Sequence, residues 1–453
     1  MTAWLHIVGV GEGGVGELPA ATRLLVSFAE VVIGPQRFLA DLEPIIASHS
    51  HPELSSPDEV RQRSLEAVAR ALLDDGDGPE EPVATDIGDH RVLFEWQPPL
   101  ANMVEQVLRQ RGKPTVVLAS GDPMWFGIGA SLARHLDAEE FVIHPLASSF
   151  QFAAARLHWP LQHVATISLH GRPPEGIHPF VLPGHRVLAL TSDAGTARHV
   201  ADALVARGYG QSRMTVLENL GGQDERITET AAELFEADSI GDFYVLGIDC
   251  VADVSAPLLP PVPGLPDEAF VTDGQLTKRE VRAATIARLA PYPGALLWDV
   301  GAGCGSIAIE WMRAARDAEA IAFEREGERL QMIAVNAAAL GVPTLRIENG
   351  EAPGSLAGMP APDAIFLGGN VADDALFHAC WNALKPGGRL VANAVTLDAE
   401  AALYRRQAWL GGDLVRIDVA TLDAIGTQHV LRPRLPVTQW AVVKPEQWLA
   451  AQP

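Results

Sequence analysis

Leu296-Leu297-Trp298-Asp299-Val300-Gly301-Ala302-Gly303-Cys304-Gly305-Ser306 is the stretch that decides how this chain folds. The apolar run from Ala295 to Trp298 predicts a buried strand, which ends in an acid and breaks into glycines at alternate positions. Ile307-Ala308-Ile309-Glu310-Trp311 then opens a helical pattern. Strand, glycine turn and helix in that order present backbone N–H groups to a ligand at the carboxyl edge of an α/β sheet. The glycines let the backbone approach that ligand closely and turn through positive φ.

Two ligands suit such a loop: a dinucleotide or S-adenosylmethionine. The dinucleotide pattern is G-x-G-x-x-G/A, whereas here Ser306 takes the sixth position and Gly305 the fifth. The next predicted strand, Ala318 to Phe323, runs into Glu324, placed where an acid can hold the ribose hydroxyls of either ligand. The motifs further on favour S-adenosylmethionine. Asn349-Gly350-Glu351-Ala352-Pro353 follows the next strand, and Gly368-Gly369-Asn370 follows the strand after it, Ala364 to Leu367. Leu384-Lys385-Pro386-Gly387-Gly388-Arg389-Leu390 marks a helix end, a tight turn and a strand start, and closely resembles the corresponding turn of Rossmann-like methyltransferases.

Composition narrows the function. A chain of 453 residues with 48% hydrophobic residues is long enough for two or three domains with large cores. Its net charge of −23 argues against nucleic acid as a partner, because phosphate binding needs a basic footprint, and against an anionic membrane surface. No apolar run is long enough to span a bilayer, and Met1 to Ile7 lacks the basic start of a signal peptide. Cys250, Cys304 and Cys380 are far apart and form no C-x-x-C pair, so reduced core thiols in a cytoplasmic protein are expected, with no metal site. His49 and His51 form an H-x-H without further ligands nearby and read as loop.

The first half of the chain repeats the strand-then-loop theme. Trp4 to Val8 predicts a strand followed by Gly9-Val10-Gly11-Glu12-Gly13-Gly14, which fits G-x-G-x-x-G by letter. The geometry speaks against a dinucleotide, since the helix is expected only from Pro19, and Glu30 precedes the next strand instead of ending it. Val15 stands where a P-loop needs Lys. A helix is expected over Pro57 to Leu73, then an acidic Gly/Pro loop over Asp74 to Pro82. Thr115 to Ala119 predicts a strand entering Ser120-Gly121-Asp122-Pro123, a second ligand edge. Strands over Phe141–His144, Val187–Thr191, Met214–Leu217 and Phe243–Ile248 and helices ending at Arg156 and Arg207 complete this half.

Residues 1 to about 250 resemble the tetrapyrrole methylase family, most closely its precorrin branch, through Val8-Gly9-Val10-Gly11, Ser120-Gly121-Asp122-Pro123, Ser148-Ser149, His170-Gly171-Arg172 and Glu218-Asn219-Leu220-Gly221. The stretch from Pro52 to Asp86 is longer than the family pattern requires. Val254 to Pro266 holds prolines at 257, 260, 261, 263 and 266 and reads as a semi-rigid linker. Beyond it, Thr277 with Glu280 predicts a capping box. From residue 267 to about 400 the chain resembles the small methyltransferase that partners the first family in making corrins, through Thr277-Lys278, the 299–305 loop, Gly350-Glu351-Ala352-Pro353 and Asn393-Ala394-Val395-Thr396. The two resemblances in this order on one chain are similar to the fused precorrin methyltransferases.

That resemblance implies an α/β protein with a two-lobed tetrapyrrole methylase domain over 1–252, a linker over 253–266, and a Rossmann-like, seven-stranded methyltransferase domain over 267–453 with an antiparallel end. It implies one S-adenosylmethionine per domain. The first is expected against Gly9, Gly11, Gly121, Asp122, Pro123, Ser148, Ser149 and Leu220, and the second against Thr277, Asp299, Gly301, Ala302, Gly303, Cys304, Gly305, Glu324, Glu351 and Ala352. It further implies methylation of a precorrin at carbons 5 and 15, with loss of carbon dioxide from an acetate arm. An activated methyl donor and an electron-rich carbon leave the protein mainly the work of alignment and water exclusion, so no catalytic triad is expected. A substrate rich in carboxylates needs a locally basic cleft in so acidic a protein, and His170, Arg172, Lys278, Arg279 and Arg282 are the candidates. The expected partners are the tetrapyrrole and further copies of the chain. Readings that stay open are an NAD-dependent oxidoreductase, an RNA or protein methyltransferase, a tetrapyrrole carrier without catalysis, and a cobalt-loaded substrate.

Overall fold

The computed structural model describes residues 3–42, 92–236 and 240–446, arranged as three main sheets and a hairpin. The predicted helix over 57–73, the acidic loop and the H-x-H lie outside the described residues.

The first sheet comprises β1 (Leu5–Val10), β2 (Val31–Gly34), β3 (Val92–Glu95), β4 (Thr115–Ser120) and β5 (Phe141–His144), in the order β3-β2-β4-β1-β5. All its pairings are parallel, so every strand delivers its following loop to one edge. The central strands β1, β2 and β4 are near-continuous apolar runs because helices cover both faces. Between β1 and the helix Ala20–Phe28 lies a short 3-10 turn, Val15–Glu17. The glycine loop after β1 therefore does not open directly into an α-helix, as the dinucleotide fingerprint would require.

The second sheet comprises β6 (Val164–Ser168), β7 (Arg186–Leu190), β8 (Arg213–Glu218), β9 (Arg226–Ala231) and β10 (Tyr244–Asp249), in the order β6-β7-β10-β8-β9. Here β6 and β7 run parallel while β10 is antiparallel to both β7 and β8. The carboxyl ends of β6, β7 and β8 consequently share one edge. Sequence reading did not find β3 or β9. Most of β9 is exposed, Arg-Ile-Thr-Glu-Thr-Ala, so it lacks the apolar run that marks a central strand.

The third sheet holds β11 (Leu296–Val300), β12 (Glu319–Glu324), β13 (Arg346–Asn349), β14 (Ala364–Leu367), β15 (Arg389–Ala394), β16 (Asp413–Ile417) and β19 (Val437–Val443), in the order β13-β12-β11-β14-β15-β19-β16. β19 pairs antiparallel with both β15 and β16, giving seven strands with the expected antiparallel end. Trp298, Trp311, Trp381 and Trp440 are all fully buried in this unit. A separate hairpin, β17 (Ala420–Ile425) with β18 (Gln428–Pro433), was not legible, since its strands bury almost nothing and bear no alternation toward a core.

Two details depart from expectation. Helix Arg279–Leu289 has Lys278 as its N-cap with no side-chain cap bond, so the Thr277–Glu280 capping box does not form. Arg282 instead fixes the entry to the helix from inside, its Nη1 donating to the Thr277 carbonyl at 2.5 Å. The proline-rich segment is docked, not free: Leu259 and Leu265 are buried in the core of the third-sheet unit. Glu310 accepts from the N–H groups of Gly264 (2.7 Å) and Leu265 (2.9 Å), and Arg313 Nη2 donates to the Leu259 carbonyl at 2.7 Å.

The two halves also touch directly. Gly341, at φ +81°, sits so close to the Pro174–Phe180 turn of the first half that a Cβ there would lie 2.4 Å from Pro179 Cδ and 2.9 Å from His178 Cβ. Behind this seat, Arg207 donates to the His178 carbonyl at 2.6 Å, and Arg313 to the Leu340 carbonyl. Burial, with Arg207 and Arg313 adding to it, lowers the His178 pKa to about 4, so this ring is neutral at physiological pH.

Candidate functional site

The loops after the strands of the third sheet enclose a cleft of about 780 Å³. That is the size range of a cofactor or drug-sized ligand site. Its walls include Thr277, Lys278, Gly301, Ala302, Gly303, Cys304, Glu324, Glu351 and Ala352, so nine of the residues singled out from sequence come together here. The glycines have separate reasons. A Cβ on Gly301 would come within 3.4 Å of Gly369 N on the facing turn, and Gly303 turns at φ +60°. Gly305 (φ +81°) caps helix Ser306–Ala314, and its Cβ position faces Ile333 at 3.0 Å, so it serves packing behind the loop and does not line the cleft.

Glu324 ends β12 and faces the cleft, yet is only 5% exposed. Its Oε2 accepts from Gly303 N at 2.8 Å, and its Oε1 from the N–H groups of Arg325 (2.9 Å) and Glu326 (3.1 Å). The carboxylate thus fixes the glycine loop, and a lone-pair site on Oε2 remains for a ligand hydroxyl. Asp299 lies beneath the loop, 1% exposed, with Oδ2 accepting from Ala308 N at 3.0 Å. Its Oδ1 has no protein partner. Burial pushes the Asp299 carboxyl up to about 7, against the Ala308 N–H and with the charge of Glu324 adding to the rise. A backbone cradle that side chains would fill, an acid with a spare acceptor site and an orphaned oxygen behind them fit S-adenosylmethionine.

The cations divide. Lys278 lines the cleft. Arg279 is exposed and does not, its Nε donating to the Gly264 carbonyl at 2.7 Å. Arg282 is a correction to the sequence reading. It is completely buried, paired with Glu310 at 2.6 Å and Asp267 at 3.1 Å, and donates to the Leu265 carbonyl. With no surface to offer a substrate, it ties the proline-rich segment to the helix. Sequence reading missed Arg434, Leu435, Ile417, Val419 and Val437, which close the opposite end of the cleft. They follow or precede the unpredicted hairpin, so nothing in the local pattern placed them near the glycine loop.

In the first half the structure also gathers the expected loops. A Cβ on Gly9 would lie 2.5 Å from the Gly121 carbonyl oxygen and 2.8 Å from Leu146 Cβ, and one on Gly11 would touch Leu146 at 3.5 Å. Gly121 (φ +67°) faces the backbone of Ser148 and Ser149 at 3.8–3.9 Å. Asp122 Oδ1 accepts from Met124 N at 2.7 Å and so shapes the Asp122-Pro123 turn. Ser148 and Gln151 form a capping box on helix Ser149–Leu157. Leu220 is buried, and the adjacent Gly221 and Gly222 pack toward Phe152 and Glu12 respectively, which brings the edge of the second sheet against the first. Glu12 pairs with Arg37 at 2.7 Å, and Arg37 also donates to Ser120 Oγ at 3.1 Å and lies over the Phe243 ring, a lock between the lobes that sequence reading missed. His170 and Arg172 are exposed at the end of β6 on the same edge, His170 Nδ1 lying 3.1 Å from the Thr191 carbonyl.

Among the described residues no group of three or more His, Cys, Asp or Glu is placed to hold a metal ion, and no helix is long and apolar enough to cross a membrane. The three cysteines are buried and free.

The chain thus forms two α/β units, each with glycine loops gathered at a strand edge. Residues 4–235 match the model of the tetrapyrrole (corrin/porphyrin) methylases, and residues 268–444 that of the precorrin methyltransferase domain. A precorrin-6Y C(5,15)-methyltransferase (decarboxylating) of Sinorhizobium sp is 43% identical over 444 residues, spanning 98% of this chain and 97% of that protein. One from Mycobacterium tuberculosis is 40% identical over 354 residues, 78% of this chain and 88% of that protein. The crystal structure of the C-terminal domain of precorrin-6Y C5,15-methyltransferase from Rhodobacter capsulatus is 42% identical and covers 41% of this chain and 99% of its own, with a TM-score of 0.39. The chain belongs to the precorrin-6Y C(5,15)-methyltransferase family, whose members are S-adenosylmethionine-dependent.

Proposed function

We propose that the protein is bifunctional, methylating a precorrin at carbon 5 in its first domain and at carbon 15 in its second. The second domain also removes carbon dioxide from an acetate arm. The observation that carries this reading is the cleft of the third-sheet unit, whose walls combine the Gly301–Gly303 cradle and Glu324 with apolar side chains and the cations Lys278, Arg325, Arg329 and Arg434. S-adenosylmethionine, when bound, supplies an electrophilic methyl group on a sulfonium. The Gly301–Gly303 backbone and Glu324 would hold it, and the loop is already fixed by the bond from Gly303 N to Glu324. In the first domain, Gly9, Gly121 and the Ser148-Ser149 turn would do the same. Leu276, Val281, Val395, Leu435 and Val437 form apolar walls that would exclude water and seat the macrocycle. Alignment of an electron-rich carbon with a methyl donor can lower such a barrier by about 7–11 kcal/mol. Loss of carbon dioxide leaves the bonding pair on the acetate carbon, from where the conjugated macrocycle accepts it.

Incubation of the whole chain with a precorrin and methyl-labelled S-adenosylmethionine, followed by product mass spectrometry, tests this reading. The expected product has gained two methyl groups and lost one carbon dioxide. Recovery of bound but unaltered tetrapyrrole would identify a carrier instead, and displacement of S-adenosylhomocysteine by NAD would point to an oxidoreductase.

A further inference from the structure

The apolar end of the second cleft carries more positive charge than its own carboxylates neutralise. Asp267 Oδ1 accepts from the buried Arg282 at 3.1 Å. Lys278 Nζ and Arg434 Nη1 stand 4.0 and 3.9 Å from the other oxygen, Asp267 Oδ2, too far for hydrogen bonds. Arg282 is shared with Glu310, whose oxygens also accept from Gly264 and Leu265. Among the described residues, the ion pairs of Lys278, Arg282 and Arg434 within 4.0 Å are with Asp267 and Glu310, three positive charges against two negative, so one positive charge is left over. Arg282 is sealed inside, whereas Lys278 and Arg434 are 40% and 37% exposed and line the cleft. Arg434 is held in place by its backbone, its N–H donating to the Val419 carbonyl at 2.9 Å across the root of the hairpin. Beside the two cations stand Leu276, Val419 and Leu435.

We propose that Lys278 and Arg434 form a subsite for one side-chain carboxylate of the tetrapyrrole, and that this carboxylate is one the reaction retains. The proposal rests on the tetrapyrrole reading given above. Both cations flank the same oxygen of Asp267, so one incoming carboxylate reaches both by side-chain rotation and makes the charge count even. Charge-assisted hydrogen bonds from an ammonium and a guanidinium are strong, directional and little screened against apolar walls. The same strength decides which carboxylate it is. An acetate arm that is to leave as neutral carbon dioxide gives up its charge on the way to the transition state. Ion-pairing it would stabilise the ground state more than the transition state and slow the step. The subsite therefore positions the ring through a neighbouring arm and leaves the departing arm to the apolar wall.

The test is product-resolved kinetics on the whole chain for Lys278→Gln, Arg434→Gln and the double variant, with Arg389→Gln as an exposed control outside the cleft. The KM for the precorrin, read from formation of the second-domain product, should rise about tenfold in each single variant, with kcat little changed, as for loss of one charged hydrogen bond. First-domain methylation and S-adenosylhomocysteine affinity measured by calorimetry should stay as in the parent, and Arg434→Lys should recover part of the loss. Unchanged KM values with normal S-adenosylhomocysteine binding would overturn the subsite while leaving the proposed function standing. A rise in decarboxylated over methylated product would show that the departing carboxylate sits there, overturning the assignment to a retained arm. A parent protein that transfers no methyl to a precorrin would remove the proposed function, and this inference with it.

Discussion

Glu324 holds the glycine loop and faces the cleft with the same carboxylate, so its removal should have two effects at once. Glu324→Ala should weaken S-adenosylmethionine binding in the second domain by about 1.5–3 kcal/mol, the cost of losing hydrogen bonds to a charged group, and leave the first site unaffected. Calorimetry resolves the two sites, and an affinity within twofold of the parent would exclude this role. Asp299 gives a pH prediction. Its folded-state pKa of about 7 lies above the ordinary carboxylate value, so folding takes up a proton between the two and this group's contribution becomes less favourable as pH rises through that window. Asp299→Asn should therefore stabilise the fold more at pH 8 than at pH 5, by a difference of about 2–3 kcal/mol on the scale of 1.36 kcal/mol per pH unit. Equal shifts in the unfolding transition at both pH values would show that the buried acid is not protonated. Glu324 and the glycines were legible because a strand end, a turn and an acid at fixed spacing are local patterns. Arg282 was not, because sequence spells a charge without saying whether Glu310 waits inside to meet it.

Among the elements, strands buried on both faces declared themselves by apolar runs, as in β1, β4, β11 and β14, and their order could follow from resemblance. Elements with little burial, β9 and the β17–β18 hairpin, stayed hidden, and with the hairpin went Arg434 and the far wall of the cleft. The proline-rich segment was legible as non-helical but not as docked, since prolines declare a backbone shape and say nothing of what it packs on. Its contacts make a prediction about fragments. A fragment beginning at residue 254 keeps Leu259 in the core and its carbonyl on Arg313, whereas one beginning at Leu265 loses both. The longer fragment should fold and unfold at higher denaturant, by roughly 2–5 kcal/mol for the lost buried leucine with its hydrogen bond. Urea transitions that coincide for the two fragments would show that the segment is held only by the first domain.

For the whole molecule, the two sets of glycine loops belong to separate sheets, so they should fail separately. Gly303 turns at φ +60°, which a β-branched side chain resists, and Gly303→Val should abolish the second-domain methyl transfer and the loss of carbon dioxide. One methyl should still be added through the first domain, and Asp122→Ala should give the mirror defect where substrate order permits. A folded Gly303→Val protein that makes the doubly methylated, decarboxylated product would overturn the division of labour. The two-domain plan was legible because two sets of ordered motifs occur in sequence, while the lock of Glu12, Arg37 and Phe243 and the contact between halves depend on approaches that no linear pattern records.

The seat of Gly341 on His178 and Pro179 bears on traffic. With no room for even a methyl group at 2.4 Å from Pro179, a leucine at that position would prise the halves apart while the polypeptide still joins them and neither cleft loses a residue. Gly341→Leu thus separates tethering from docking, which fusion ordinarily confounds. If docking shortens the journey of the singly methylated intermediate, a labelled pulse chased with excess unlabelled intermediate should be diluted more in the variant than in the parent. Identical dilution would mean that the intermediate is handed over through bulk solvent and that the joining polypeptide, which keeps the two domains in equal number, matters without the seat.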